Sequence, residues 1–431
     1  MSKLKTSFII LVIAEFIYNI SSYVVNMGLG RMLGVADYGR YSLVIGFTTM
    51  IILLASRAIP TAMMKRISEN IGNWPRIRAI RRSAGFLQII IITSLTIIFY
   101  ILAPLIAQAF NDTTLTPLFR ISALVIPAFA ISSFHVLYFN GLKYFKAMTA
   151  MKIARGIFRI AWIVGLAYLI GLSGAFYGSI LAPLSVFVVA IIIEAFFIKD
   201  VETHRDASLS THTQKKETYS YKKIVAYAGG FILFLIFYEF YIRADMYLIK
   251  AITGSDINTG LYNAAFTIAL IPYYVMFALT FILFPTMSEL AKKKDHTQIQ
   301  DILKKVILLL FVILVPAAIV MSLMPEFLIT LFFGNSFIAA AHLIPLLTGG
   351  TVFITIFFVL AAVFNGADMT RIPASITAIA LTGGIIANIH FLPIYGISAT
   401  AIIFSCTATF MGLTALFFMY TKFFKVNKII N

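Results

Sequence analysis

The stretch EFYIRADMYLIK places Glu239, Arg243, Asp245 and Lys250 within twelve positions of an otherwise apolar run. At a bilayer centre each such side chain costs roughly 2.5–3.5 kcal/mol on insertion scales, so four together need partners, water or a task. Glu239 and Arg243 are four residues apart, a spacing that puts both on one helix face and lets them form an ion pair. Asp245 points elsewhere and is left unaccounted for by that pair. Lys250 is near enough to the end of its run to snorkel to the outer interface. A second set lies in the first apolar run, where Glu15 and Asn19 are one turn apart. A buried acid there can carry a coupling proton or bind Na⁺, or serve as the counter-ion of a base. Arg57 precedes Lys65 by eight residues, about 12 Å above the inner end of its helix. There it either snorkels or pairs with an acid, or faces a polar cavity. Arg31 belongs, with Asp37 and Arg40, to the first outer turn.

Other chemistries lack their residues. Cys406 is the single cysteine, so no internal disulfide or cysteine cluster is expected. His204 and His212 have no cysteine nearby, and the chain carries no Gly-x-x-x-x-Gly-Lys, His-Glu-x-x-His or Gly-x-Ser-x-Gly pattern. No catalytic residue, metal ligand or resident cofactor is expected. Energy for any transport would come from coupled H⁺ or Na⁺, or from the substrate's own downhill flux.

The elements that position these residues follow from composition. Of 431 residues 61% are hydrophobic and 12% charged, with mean hydropathy +0.96, which is a multi-pass membrane protein. Twelve apolar windows of about 20 residues recur, and all should be helices because lipid cannot satisfy an open strand. The first, after Lys3 and Lys5, is about twice the length of a signal-peptide core and reads as an uncleaved span. With both termini in the cytoplasm, 28 of the 34 Lys and Arg residues lie in inner segments, Lys143 to Arg159 among them. The net charge of +17 then reports topology and not a nucleic-acid partner. The polar stretch KDVETHRDASLSTHTQKKETYSYKK, residues 199–223, reads as a cytoplasmic linker. It divides the chain into 1–198 and 224–431, six windows each.

These halves look duplicated. Phe-Asn-Gly at 139–141 recurs at 364–366, Pro60-Thr61 recurs at Pro285-Thr286, and Gly171 and Ser173 recur as Gly396 and Ser398, all 225 positions on. Glu15-Phe16 matches Glu239-Phe240 at 224. The expectation is an all-α integral membrane protein of two pseudo-symmetric six-helix bundles, superposable about an axis along the membrane normal. Counted from Phe231, Arg243 lies about 18 Å deep, near the midplane.

LGVADYGRYSL (33–43), GLYNAAFTIA (260–269) and FLPIYGISATAI (391–402), in a chain of twelve spans split by a basic linker, resemble the polysaccharide exporters that flip lipid-linked oligosaccharides of the O-antigen type. That family stands with the multidrug and toxin exporters and the lipid II flippases in one superfamily. The resemblance implies a MATE-like flippase fold with two bundles around a central cavity that opens to each side in turn. Lipid II flippases typically carry two further spans, so a chain of twelve fits the oligosaccharide branch. In such a cavity Arg57, Arg243, Arg31 and Lys250 would hold a diphosphate headgroup, with Glu15, Asn19, Glu239 and Asp245 as counter-ions or coupling groups. The expected partners are the lipid-linked oligosaccharide, membrane lipids and, beyond them, a glycan polymerase and glycosyltransferases in the plasma membrane. A cation-coupled drug exporter of the same superfamily and a scaffold of a glycan-assembly complex are the alternatives. The expected topology is checked by labelling Ser208→Cys in a Cys406-free background: it should be protected from an impermeant thiol reagent in intact cells, and efficient labelling would overturn the orientation.

Overall fold

The computed structural model describes residues 2–198, 229–293 and 295–425. The linker at 199–223 and the side chains of Glu15 and Arg57 lie outside the described residues. Within these limits the chain is helical nearly throughout and has no strand, as lipid demands of backbone that must satisfy itself.

Helix α1 runs Ser2–Ser68 and is broken into two rods at Gly34, whose φ of 74° suits glycine alone. α2 is Trp74–Ala109, started by Pro75 and an Asn73 side chain that accepts from the Arg76 amide. α3 (Thr116–Ala123) and α4 (Val125–Gly141) form one interrupted rod. α5 (Phe145–Arg159) passes through a π-helical turn at Ile160–Val164 into α6 (Gly165–Ile193), which is broken again at Gly171. Beyond the linker come α7 (Gly229–Thr253) and the pair α8 (Asp256–Ala269) and α9 (Ile271–Lys293). α10 (His296–Leu323), α11 (Pro325–Phe333) and α12 (Leu343–Gly366) follow. α13 (Arg371–Tyr395) and α14 (Ile397–Met419) close the described chain. Among the described residues seven helical spans are long and apolar enough to cross a membrane, eight with the pair α8–α9, which bends by 46°. α7 is set apart from them by the four charges of the opening motif that it carries.

The chain folds as two compact units, Met1–Leu33 with Val44–Gly229 and Gly34–Leu43 with Gly230–Asn431. The first is organised around α4 and α6, with Phe139, Met151 and Val186 fully buried. In the second, α12 packs against α8, α9, α10 and α14. Its buried Thr348, Thr351 and Thr355 donate to carbonyls of their own helix at 2.6–2.8 Å, so three hydroxyls enter an apolar core without an orphaned donor.

The sequence repeat has a conformational counterpart. After each Phe-Asn-Gly the chain turns through a residue at φ 59°, Lys143 in one unit and Asp368 in the other. The same three amides close both turns, 142 to 138, 143 to 140 and 144 to 139 matching 367 to 363, 368 to 365 and 369 to 364. Gly171 and Gly396 share positive φ, 64° and 68°.

Residues 34–43 belong to the second unit for a steric reason. A Cβ on Gly39 would meet the Asp256 carbonyl at 2.2 Å, and one on Gly260 would meet the Val35 carbonyl at 2.1 Å. Two glycines therefore let this segment lie directly on α8, where the Asn263 amide donates to Tyr38 and Ser42 at 2.8 and 3.0 Å. The two resemblance motifs, one holding Gly39 and the other Gly260, are two sides of one contact. Gly39→Ala and Gly260→Ala should each lower the thermal midpoint of the detergent-solubilised protein, at an overpacking cost of about 1–3 kcal/mol. Gly349→Ala, with open space around it, should not, and equal midpoints for all three would refute the tight crossing.

Candidate functional site

α7 delivers its charges to separate neighbourhoods because residues two apart on a helix face different ways. Arg243 Nε donates to Glu239 Oε1 at 2.7 Å, with the two side chains 29% and 25% exposed. The i, i+4 pair thus forms, and it is half-buried.

Asp245 turns inward and is 7% exposed. Tyr262 of α8 donates to Oδ2 at 2.8 Å, and Asn388 of α13 donates to Oδ1 at 3.1 Å. Asn388 is fully buried and also donates to the Gly384 carbonyl at 3.0 Å. The carboxyl is therefore held by neutral donors from two other helices, which answers the question that sequence spacing left open. Neither donor was singled out in the sequence; a lone Asn in the apolar run ANIHF was the available signal.

Lys250 does not snorkel. It is 1% exposed, and its amine donates to Asp256 Oδ1 at 2.6 Å and to the Gly254 carbonyl at 3.1 Å. Gly254, at φ 66°, turns the chain so that the first residue of α8 comes back onto the last turn of α7. Arg40 Nε reaches the other oxygen of Asp256 at 2.7 Å. One carboxylate thus holds two cations, at a helix N-terminus that favours negative charge. Arg31 is exposed near the end of the first rod of α1, and Asn19 is partly buried on the same rod.

Two further arginines went unnoticed in the sequence because Lys143 to Arg159 was counted as an inner segment. α5 brings Arg155 and Arg159, both partly buried, into side-chain contacts within the first unit. Arg155 Nη2 donates to Ser132 at 2.9 Å, with its guanidinium 4.6 Å from the Phe129 ring centre. Arg159 Nη1 donates to Ser22 at 2.5 Å and lies 5.7 Å from the Tyr18 ring centre. A third, Arg81, is clamped by both oxygens of Glu194 and stacks on Tyr138 at 4.3 Å. Among the described residues no group of three His, Cys, Asp or Glu side chains could hold a metal ion.

Comparison with known proteins places this arrangement. The sequence pattern of the family described as polysaccharide biosynthesis protein matches residues 4–291, about two thirds of the chain, and the MatE pattern matches 231–390. An uncharacterized membrane protein of Methanocaldococcus jannaschii is 24% identical over 383 residues, 85% of this chain and 74% of that protein. Among solved structures, an inward-facing multidrug resistance MATE family transporter of the MOP superfamily aligns with a TM-score of 0.73 at 13% identity, over 96% of both chains. The lipid II flippase MurJ, in its inward closed conformation, aligns with a TM-score of 0.70 at 17% identity, over 95% of this chain and 87% of its own. The fold is MATE-like, as the resemblance implied.

Proposed function

The chain belongs to the polysaccharide biosynthesis protein family, and from that premise we propose that it is a flippase. It moves a polyprenyl-diphosphate-linked oligosaccharide across the plasma membrane for cell-surface polysaccharide synthesis. Support comes from the lipid II flippase among the structures that share the fold and from arginines set in the membrane helices. The observation that carries the reading is Arg243, half-buried on α7 with Glu239 one turn away. An arginine at that depth is costly alone, and a partner on its own helix makes the empty state tolerable. Substrate phosphate then shares or replaces that partner, and the planar guanidinium offers it two parallel donors. Access alternates between the two sides, both termini and the linker face the cytoplasm, and the lipid tail stays in the bilayer. The glycan polymerase and glycosyltransferases act before and after this step.

Arg243→Ala should abolish surface glycan while leaving an inserted, abundant protein, Arg243→Lys should keep part of the activity, and Glu239→Gln should be milder than Arg243→Ala. A purely structural pair gives another pattern, in which each neutralisation lowers membrane abundance and the double change restores it. Full surface glycan from an abundant Arg243→Ala protein ends the anchor reading.

Asp245 is the coupling group in this reading. A carboxyl buried among neutral donors can take up a proton or a small cation as its surroundings change. The same feature fits the second reading, a cation-coupled exporter of amphipathic drugs, which the MatE match at 231–390 favours. Asp245→Asn keeps the shape and the hydrogen-bonding capacity at one oxygen. It should leave abundance unchanged and remove the dependence of transport on an imposed H⁺ or Na⁺ gradient in proteoliposomes. Unaltered gradient dependence would exclude Asp245 as the coupling group. Drug efflux without any effect on surface glycan would favour the exporter.

A further inference from the structure

The Glu239–Arg243 pair of the second unit has aromatic neighbours. Tyr247, buried one turn beyond Arg243 on α7, lies within electrostatic reach of its guanidinium, and so does Tyr274 of α9. Tyr273, next to Tyr274, is within the same reach of Glu239. A break in the helix brings these two rings to the pair. The rod of α8 and α9 bends by 46° across Leu270. Pro272, in the first turn of α9, has no amide with which to carry the hydrogen-bond ladder through the bend.

The rings run in a series from core to surface. Tyr238 of α7 lies 5.0 Å from Phe358 of α12, Phe358 lies 5.1 Å from Tyr273, and Tyr273 meets Tyr274 edge-on, with centroids 5.2 Å apart at 84°. Tyr238 and Tyr273 are buried, whereas Tyr274 is 39% exposed. The last ring of the series is thus presented outward on a buried aromatic footing that fixes its orientation. Exposed tyrosines of membrane proteins collect at the two interfaces, where the hydroxyl meets water. Tyr274 instead shares the level of Arg243, about 18 Å from the inner boundary. An ion pair at that depth does not border hydrocarbon without a large cost, so the surface that Tyr274 shares with it is the polar, substrate-facing one.

From this geometry we infer that Tyr274 is the stacking platform for the first sugar of the lipid-linked substrate, a pyranose laid with its apolar C–H face on the ring while Arg243 holds the diphosphate. The inference rests on the flippase reading and deepens it, because the same site then selects by sugar and not by charge alone. The first sugar is joined to the diphosphate through a single oxygen, so a headgroup held by Arg243 brings that sugar to the side chains flanking the guanidinium. The face of an aromatic ring is negative and the C–H bonds of a pyranose are polarised positive, which makes the two surfaces attract. A hydroxyl pointing axially from that face holds the sugar off the ring and loses the contact.

The test compares two radiolabelled probes on the full-length protein in detergent, immobilised for scintillation proximity counting: farnesyl diphosphate, and the same molecule carrying N-acetylglucosamine on its outer phosphate. The sugar-bearing probe should bind about threefold to tenfold more tightly, the worth of one stacked ring. In Tyr274→Leu the two dissociation constants should become equal, with that for farnesyl diphosphate unchanged. Tyr274→Phe and Tyr274→Trp keep a flat ring and should keep the difference. Arg243→Ala should weaken both probes alike. Gel-filtration elution and thermal midpoint verify that each variant is folded. If the wild-type protein binds both probes equally, or folded Tyr274→Leu still prefers the sugar-bearing one, the inference fails and the flippase reading stands. Loss of the preference in Tyr274→Phe assigns it to the hydroxyl and overturns stacking. A Tyr274→Leu protein that binds both probes more weakly by the same factor shows a structural residue, which also overturns it. If neither probe binds the wild-type protein, the inference and the flippase reading fail together.

Discussion

A charged side chain held in hydrocarbon must find its partner within the protein, because lipid supplies none. That constraint shapes the chain at every level. It puts Glu239 one turn from Arg243, and it folds the start of α8 back through Gly254 so that Asp256 reaches Lys250. It brings Asn388 and Tyr262 from two other helices to Asp245. The same demand at lower cost is met along α12, whose threonines return their hydroxyl protons to their own helix.

Much of the fold was legible in the sequence because the bilayer permits so few solutions. Apolar windows of fixed length imply helices, and the 225-residue spacing marked positions where the backbone repeats itself, down to a shared φ of 59° at Lys143 and Asp368. Phe-Asn-Gly could be read in both halves, and its glycine has the same task in each: a Cβ there would meet a backbone carbonyl of a neighbouring helix, Met64 at 2.9 Å from Gly141 and Phe284 at 2.6 Å from Gly366. The local pair Glu239–Arg243 was legible for a similar reason, since spacing alone puts partners four apart on one face.

Contacts between distant segments were less legible. Nothing local in LGVADYGRYSL says that residues 34–43 pack with the second unit, although Gly39 and Gly260 are the smooth surfaces that allow it. Lys250 looked like a snorkelling residue because its acid, Asp256, lies beyond a break in the helix. Arg155 and Arg159 were absorbed into a positive inner segment because charge counting sees composition and not depth. Whether such a residue ends in water or in the bundle depends on where α5 begins, and that is set by the turn at Lys143 and not by hydropathy.

The way residues 34–43 are shared out also has a mechanical consequence. A chain whose two units met only at the linker could move one against the other as freely as that linker allows. This chain passes between its units at Leu33–Gly34, at Leu43–Val44 and at Gly229–Gly230. The first and third crossings contain glycine, and the first is already non-helical. The second lies within unbroken helix, where rotation about single bonds is locked by the hydrogen-bond ladder. The second rod of α1 therefore starts in one unit and continues as unbroken helix in the other, so the chain crosses this boundary through a stiff element and not only through flexible backbone.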